Sequence, residues 1–352
     1  MKKQLLSKVK VYKRLLLSGL LLFAMSLTTM GQATISSAKV TGKKEITLTA
    51  TEAIYVGAEA AGENGVDVTW ASDVNVTVSG NNLTATASGW GSNGAVSNES
   101  IAATEFGYVS TVVNETNTTR MIGLSNGDTD QAFSDIDFAI YLNTTSLSVF
   151  EGGNNRGSFG VVATGDVLKV VVAGTLVTYW RNDELLYTSE KTPTYPLLID
   201  ASLNNINSTL ENVQLHKGSV SDFTVTGVAN NPTITNISLD GTTDLVLGLS
   251  DEILLNDSPS VSYAKSTGLG VENAVGTDMA DFTGQSVSKD ALSPVEILSG
   301  VVSGKKEITL TASKSIYVGA EAAGENGVDV TWTSDVNVTI SGNNLTSSDG
   351  NW

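Results

Sequence analysis

Residues 165–189 read GDVLKVVVAGTLVTYWRNDELLYTS, and their alternation decides the fold class. Val167, Lys169 and Val171 alternate with Leu168, Val170 and Val172, so an extended chain presents one wholly apolar face and one mixed face. Ala173-Gly174 supplies a turn, residues 175–180 run back, and Asn182-Asp183 turns the chain again into residues 185–188. Three antiparallel strands with a greasy face need a second sheet to cover it. The same period of two recurs at residues 44–51, 66–70, 75–79 and 107–113. Only GAEAAG at 57–62 hints at helix, and it is too short to stand alone. The expected class is all-β, built from packed sandwiches.

The chain also repeats itself. Residues 42–84 recur at 304–346 with an offset of 262 and no insertion, Trp70 matching Trp332 and Trp90 matching Trp352. One long unit followed by the start of another reads as the front of a tandem array. Composition divides the 352 residues into 1–33, a signal peptide; 34–65, a β connector; 66–216, a large sandwich; 217–300, a smaller one; and 301–352, a truncated second copy of the connector and first strands.

The leader assignment rests on Lys2, Lys3, Lys8, Lys10, Lys13 and Arg14, followed by an apolar run at 15–25 and small residues at Gly31-Gln-Ala33. That run is shorter than the ~20 residues a spanning helix needs, and no later stretch is apolar enough to span. Secretion to a cell surface is therefore expected. Removing the six leader cations takes the net charge from −17 to −23. Such a chain does not present the basic face that nucleic acid requires. Without cysteine, each module must be held by its own core.

Further motifs add a resemblance. Gly89-Trp90-Gly91, Gly94-Ala95-Val96-Ser97, Phe106-Gly107-Tyr108-Val109, Met121-Ile122-Gly123-Leu124-Ser125, Asp137-Phe138-Ala139-Ile140-Tyr141, the 165–189 hairpin and Tyr195-Pro196-Leu197-Leu198-Ile199-Asp200 follow one another in order. This order resembles the concanavalin A-like (laminin G-like) jelly rolls of bacterial surface proteins, which implies a jelly-roll sandwich over most of 66–215. Asn182-Asp183 departs from the Asn-Gly expected at its turn. Residues 222–226 (DFTVT), 260–263 (SVSY) and 281–287 (DFTGQSV) resemble the immunoglobulin-like repeats of large bacterial adhesins.

The resemblance includes retaining glycosidases, which carry an acid and a nucleophile on one strand, roughly 5–5.5 Å apart. Asp135 and Asp137 could fill two places of such a strand, but Ala139 or Ile140 stands where the acid/base glutamate belongs. A missing proton donor forfeits roughly 10² to 10⁴ in rate, so the expectation is no enzyme. The lone His216 and the lack of cysteine leave thiol, His-triad and zinc chemistry without parts. No glycine-rich phosphate loop opens a helix.

Two candidate sites remain. Asn126, Asp128, Asp130 and Asp135 supply oxygen ligands on a glycine-containing loop, suited either to Ca²⁺ or to simple solvation. Jelly rolls of the resembling kind often hold calcium at a sheet rim. Tyr179 and Trp180 are consecutive on one strand and face opposite ways, one toward the core and the other free to stack on a sugar. Trp180, Tyr187 and Tyr195 thus make a candidate carbohydrate platform, while Trp70 and Trp90 read as core anchors. Asp240, Asp244, Asp251 and Glu252 are weaker metal candidates. The expected function is adhesion to, or binding of, a polysaccharide surface. A spacer stalk without ligand and a β-glucan hydrolase are the alternatives.

Overall fold

A computed structural model describes residues 31–58, 65–239, 243–266 and 268–289, and the backbone of strands Ile297–Gly304, Glu307–Ala312, Val338–Ser341 and Asn344–Ser347. Residues 1–30 of the expected leader, most of GAEAAG and Asp240 lie outside the described residues. Strands dominate, joined by turns and one three-residue 3₁₀ turn, Val220–Asp222. Among the described residues no helix is long and apolar enough to cross a membrane.

The larger module is a jelly-roll sandwich. One sheet of seven strands runs in the order Asn154–Val161, Ser146–Glu151, Phe138–Asn143, Thr119–Ser125, Leu197–Leu203, Gly94–Ile101 and Trp70–Val74. The other runs Glu184–Thr188, Leu176–Arg181, Val167–Ala173, Glu105–Val112, Thr209–Ser219, Asn82–Ala85 and Val76–Ser79, with Val66–Asp67 as an eighth strand against the end of Thr209–Ser219. The 165–189 stretch forms the three strands its alternation dictates. Ala173 pairs with Leu176 across a turn in which Gly174 takes φ 62°, and Arg181 pairs with Glu184 across Asn182, at φ 55°. Asn tolerates this left-handed conformation better than most residues, and its side chain here bonds the Val167 amide, so the turn closes without Asn-Gly.

Leu168, Val170, Val172, Val177 and Tyr179 face inward onto Ile122, Leu124, Phe138, Ile140, Leu142 and Val149 of the opposite sheet. Each such burial stabilises the module by about 1.5–3 kcal/mol before the entropy of ordering is subtracted.

The smaller module differs from its expected boundaries. Residues 34–65 are not a connector. Ile35–Gly42 and Glu45–Ala50 form two strands of a four-stranded sheet completed by Asp244–Leu249 and Ile234–Leu239. A three-stranded sheet of Phe223–Thr226, Ser260–Tyr263 and Phe282–Ser286 belongs to the same module. A parallel bridge, Lys39 with Ser288, ties the module's first strand to its last residues; the Val40 amide donates to the Ser288 carbonyl and the Ser288 amide to the Ala38 carbonyl. The larger sandwich is thus an excursion inserted into the smaller one. It leaves and returns at one place, because Val66 pairs with Leu215 and Asp67 with Gln214.

Residues 54–58 lie on the outer face of the Val167–Ala173 sheet. The fully buried Lys169 donates from Nζ to the Gly57 carbonyl at 2.5 Å and stands over the Tyr108 and Trp180 rings. Tyr55 meets Trp180 edge-on at 5.7 Å, and the Ala58 amide donates to Glu272 Oε1. This cover explains how the mixed face can hold a lysine without water: its charge has a carbonyl and two aromatic faces as partners.

The strands after residue 289 belong to a second unit. Ile297–Gly304 and Glu307–Ala312 form a hairpin, extended by Asn344–Ser347 and then Val338–Ser341.

Candidate functional site

Of the expected platform residues, Trp180 is buried and Tyr187 and Tyr195 are half-buried. Trp180 is 3% exposed, its Nε1 donates to Thr178 Oγ1, and Tyr55 caps its ring. Trp180 lines a small cavity with Ile54, Val171, Thr178 and Leu185, but its open face is gone. Residues 54–58, far away in sequence, took it. Tyr195 is half-buried against the core and donates its hydroxyl to the Gly174 carbonyl at 2.6 Å. Its phenol is held above the ordinary range by burial. Tyr187 lies half-buried between Phe159 and Tyr179, at 5.9 and 5.8 Å. The three side chains serve packing rather than one shared surface. Tyr179 is core, and Trp70 packs against the same core with its Nε1 on the Asn81 carbonyl. His216 is buried, stacked on Tyr108 at 4.2 Å, with Nε2 3.2 Å from Ser110 Oγ.

A second, half-buried aromatic group lies on the other sheet. Adjacent strands Thr119–Ser125, Phe138–Asn143 and Ser146–Glu151 send alternate residues inward to the core and outward to the opposite face. Met121 stands opposite Tyr141, and Ala139 opposite Phe150. Over these outward positions fold two loops. One carries Trp90 between Gly89, at φ 115°, and Gly91, at φ 75°, a bend that β-carbons would strain. The other, residues 126–137, brings Phe133 and the fully buried Ile136.

Four half-buried rings form a closed circuit there. Trp90 meets Phe133 at 5.2 Å, Phe133 meets Phe150 at 6.2 Å, Phe150 meets Tyr141 at 5.0 Å, and Tyr141 meets Trp90 at 5.9 Å. Met121, Ile136 and Ala139 make the apolar floor. Burial raises the Tyr141 phenol above its ordinary value. Sequence reasoning missed this group. The available signal was a set of apolar residues at outward positions, Met121, Ala139, Tyr141 and Phe150, interspersed with Gly123, Ser125 and Ser148.

The acidic loop lies beside the circuit, and Asp130 and Asp135 are engaged in folding it. Asp135 accepts from the Thr129 amide at 2.8 Å and from its hydroxyl at 2.5 Å. Asp130 accepts from the Ala132 amide, and Asn126 Nδ2 donates to the Pro196 carbonyl. Burial, with Asp135 and Asp130 nearby, raises the Asp128 carboxyl. Among the described residues no three acidic or histidine side chains converge to hold a metal ion. Asn126, Asp128, Asp130 and Asp135 are brought into one loop but not onto one point. Asp244 ends a strand opposite Thr49, and Asp251 accepts from Ser250 Oγ.

Beneath the loop, Asp200 is 3% exposed and accepts from Ser125 Oγ at 2.9 Å. Burial lifts it to about 8 against that hydrogen bond, with Asp135 and Asp128 adding repulsion. Ser202 Oγ pins the loop through the Gln131 carbonyl at 2.7 Å. Asp137 accepts from Lys191 Nζ at 2.7 Å and from the Asn126 amide. Two residues on, the next outward position on that strand is the buried Ala139, followed by Tyr141.

No protein-family model matches the chain, and no curated protein matches it. Among solved structures, the chain is similar to the TRIM65 PSpry domain (12% identity, TM-score 0.32, 43% of this chain and 89% of that one). It is also similar to the potassium-bound Emp46p carbohydrate recognition domain (10%, 0.32, 46% and 98%) and to the alginate lyase AlgAT5 (14%, 0.27, 43% and 85%). At these scores the likenesses do not bear on ligand or activity, and the fold rests on the sheets described above.

Proposed function

We propose that the larger sandwich is a non-catalytic glycan-binding module, carried by a smaller immunoglobulin-like module in a secreted, repeat-built surface protein that serves adhesion. The observation behind this reading is the four-ring circuit of Trp90, Phe133, Tyr141 and Phe150 on an outer sheet face. Sugar rings carry apolar C–H faces and polar rims. A half-exposed aromatic group next to Asp137, Lys191 and the Tyr141 hydroxyl offers both kinds of contact. Catalysis finds less support, since Asp137 is neutralised by Lys191 and Ala139 stands where a proton donor would be needed. Asp130 and Asp135 are committed to backbone amides and a hydroxyl, so this reading does not rest on calcium.

The test is retention on a panel of insoluble polysaccharides, with and without chelator. Trp90→Ala and Tyr141→Ala should each weaken retention about tenfold, equivalent to ~1.4 kcal/mol of lost ring contact. Trp180→Phe, under its cover, should leave it unchanged. A pure spacer predicts no retention on any polysaccharide, and a hydrolase predicts new reducing ends abolished by Asp137→Asn. Either result would overturn the proposal.

A further inference from the structure

The hairpin that completes the smaller module is present twice. Glu-Ile-Thr-Leu-Thr-Ala stands at 45–50 and again at 307–312. The two hairpins agree pair for pair. Ile35–Ala50, Lys39–Thr47, Val40–Ile46 and Gly42–Glu45 in the first match Ile297–Ala312, Val301–Thr309, Val302–Ile308 and Gly304–Glu307 in the second, with bulges at the same places. What differs is the strand on the far edge. In the first hairpin Thr47, Leu48 and Thr49 face Val246, Leu245 and Asp244. In the second, Thr309, Leu310 and Thr311 face Thr346, Leu345 and Asn344. One strand sequence thus holds two unrelated partners in a single register, with a leucine opposite the central leucine each time. The partner used in the second unit is itself versatile. Its counterpart at 82–85 pairs with Val76–Ser79 and, at Leu83 and Thr84, with Leu210 and Thr209. The edge selects a backbone ladder and an alternating leucine, and little else.

We propose that Asp244–Leu249 is also an acceptor for the hairpin Ile297–Ala312 of a second copy of this chain, in the place that Ile35–Ala50 fills within its own chain. Because the strand sequences are identical, the donor offers Leu245 and Leu247 the same Ile and Leu that the resident hairpin does. The joint is heterologous: donor and acceptor are different surfaces, so each added copy brings a fresh acceptor and the assembly stays open-ended. The resident hairpin is favoured by its tethering to the same chain, so exchange grows with protein concentration or when that hairpin is weakened.

The chain has no cysteine, so introduced thiols report alone. Residues opposite each other in an antiparallel ladder lie about 4.5–5.5 Å apart, within disulfide reach. Val246→Cys with Thr47→Cys should lock the monomer under mild oxidation. Val246→Cys with Thr309→Cys, plus Leu48→Asp to release the resident hairpin, should give a ladder of cross-linked dimers and higher species that lengthens with concentration. Adding Leu310→Asp should remove the ladder. Should Leu48→Asp prevent folding, the Val246→Cys/Thr309→Cys pair alone, refolded from urea at high concentration, serves the same purpose. No cross-linked dimer in either format, or a cross-link confined to monomers, overturns the proposal.

Discussion

Truncating Leu48 to alanine separates an integral strand from a linker. Leu48 is fully buried and stands opposite Leu245, itself fully buried, in the four-stranded sheet. Removing a core leucine costs about 2–5 kcal/mol, from lost transfer energy plus the residual cavity. That is a large part of the roughly 5–15 kcal/mol available to a domain. A residue in a solvated linker changes stability by no more than about 0.5 kcal/mol. Native-state amide exchange resolves where the loss falls. Amides of Leu245, Leu247 and Val261 should lose protection by about 30-fold or more, the equivalent of ~2 kcal/mol. Amides of Ile122 and Val170, in the larger core, should stay within about threefold. Unchanged protection at Leu245 and Leu247 would return residues 35–50 to the status of a tether. An equal loss at Val170 would show that the two sandwiches open as one body, and the idea of an inserted, separately cored module would fail.

Two further perturbations address the site and the docked segment. Asp200, lifted to about 8 by burial, keeps its proton where the unfolded chain has already released it. The folded state therefore binds the extra proton from about pH 4 to about pH 8, stability falls as pH rises through that window, and the loss is complete above it. Asp200→Asn should flatten this slope in thermal melts and raise the melting temperature at pH 8; parallel profiles for the two proteins would dismiss the assignment. Gly57 has φ +67°, and a β-carbon there would stand 2.5 Å from Tyr108 Cδ1. Gly57→Ala should cost about 1–3 kcal/mol and speed proteolysis between residues 51 and 66, whereas wild-type protease resistance would mean the segment is not packed as described.

Much of the larger sandwich could be read from the chain because its information is local. The alternation of 167–172 fixes which residues face the core, and the observed strands Val167–Ala173, Leu176–Arg181 and Glu184–Thr188 follow it. The insertion could not be read that way. Glu45 pairs with Gly248 across two hundred intervening residues, and alternating Ile, Leu and Thr leave no mark of which strand will be their neighbour. One clue was present in the repeat, which opens upstream of the large sandwich rather than at its first strand, so the hairpin belongs to the repeating unit. The site divides along the same line. That Tyr179 and Trp180 point to opposite sides follows from the pleat, but which side stays open depended on residues 54–58. Trp90 and Phe133 sit on loops, where periodicity says nothing, and only tertiary folding carries them to Tyr141 and Phe150.

The paired Val66 and Leu215 have a mechanical consequence. Tension applied through residues 31 and 289 passes through the smaller module alone, while the inserted sandwich hangs beside the line of pull. The Lys39–Ser288 bridge is parallel, so the two ends draw its strands past one another lengthwise. Its two backbone hydrogen bonds, Val40 to Ser288 and Ser288 to Ala38, then resist in shear and must yield together rather than unzip in turn. A module built this way can keep its outer aromatic face undistorted while its tether is stretched.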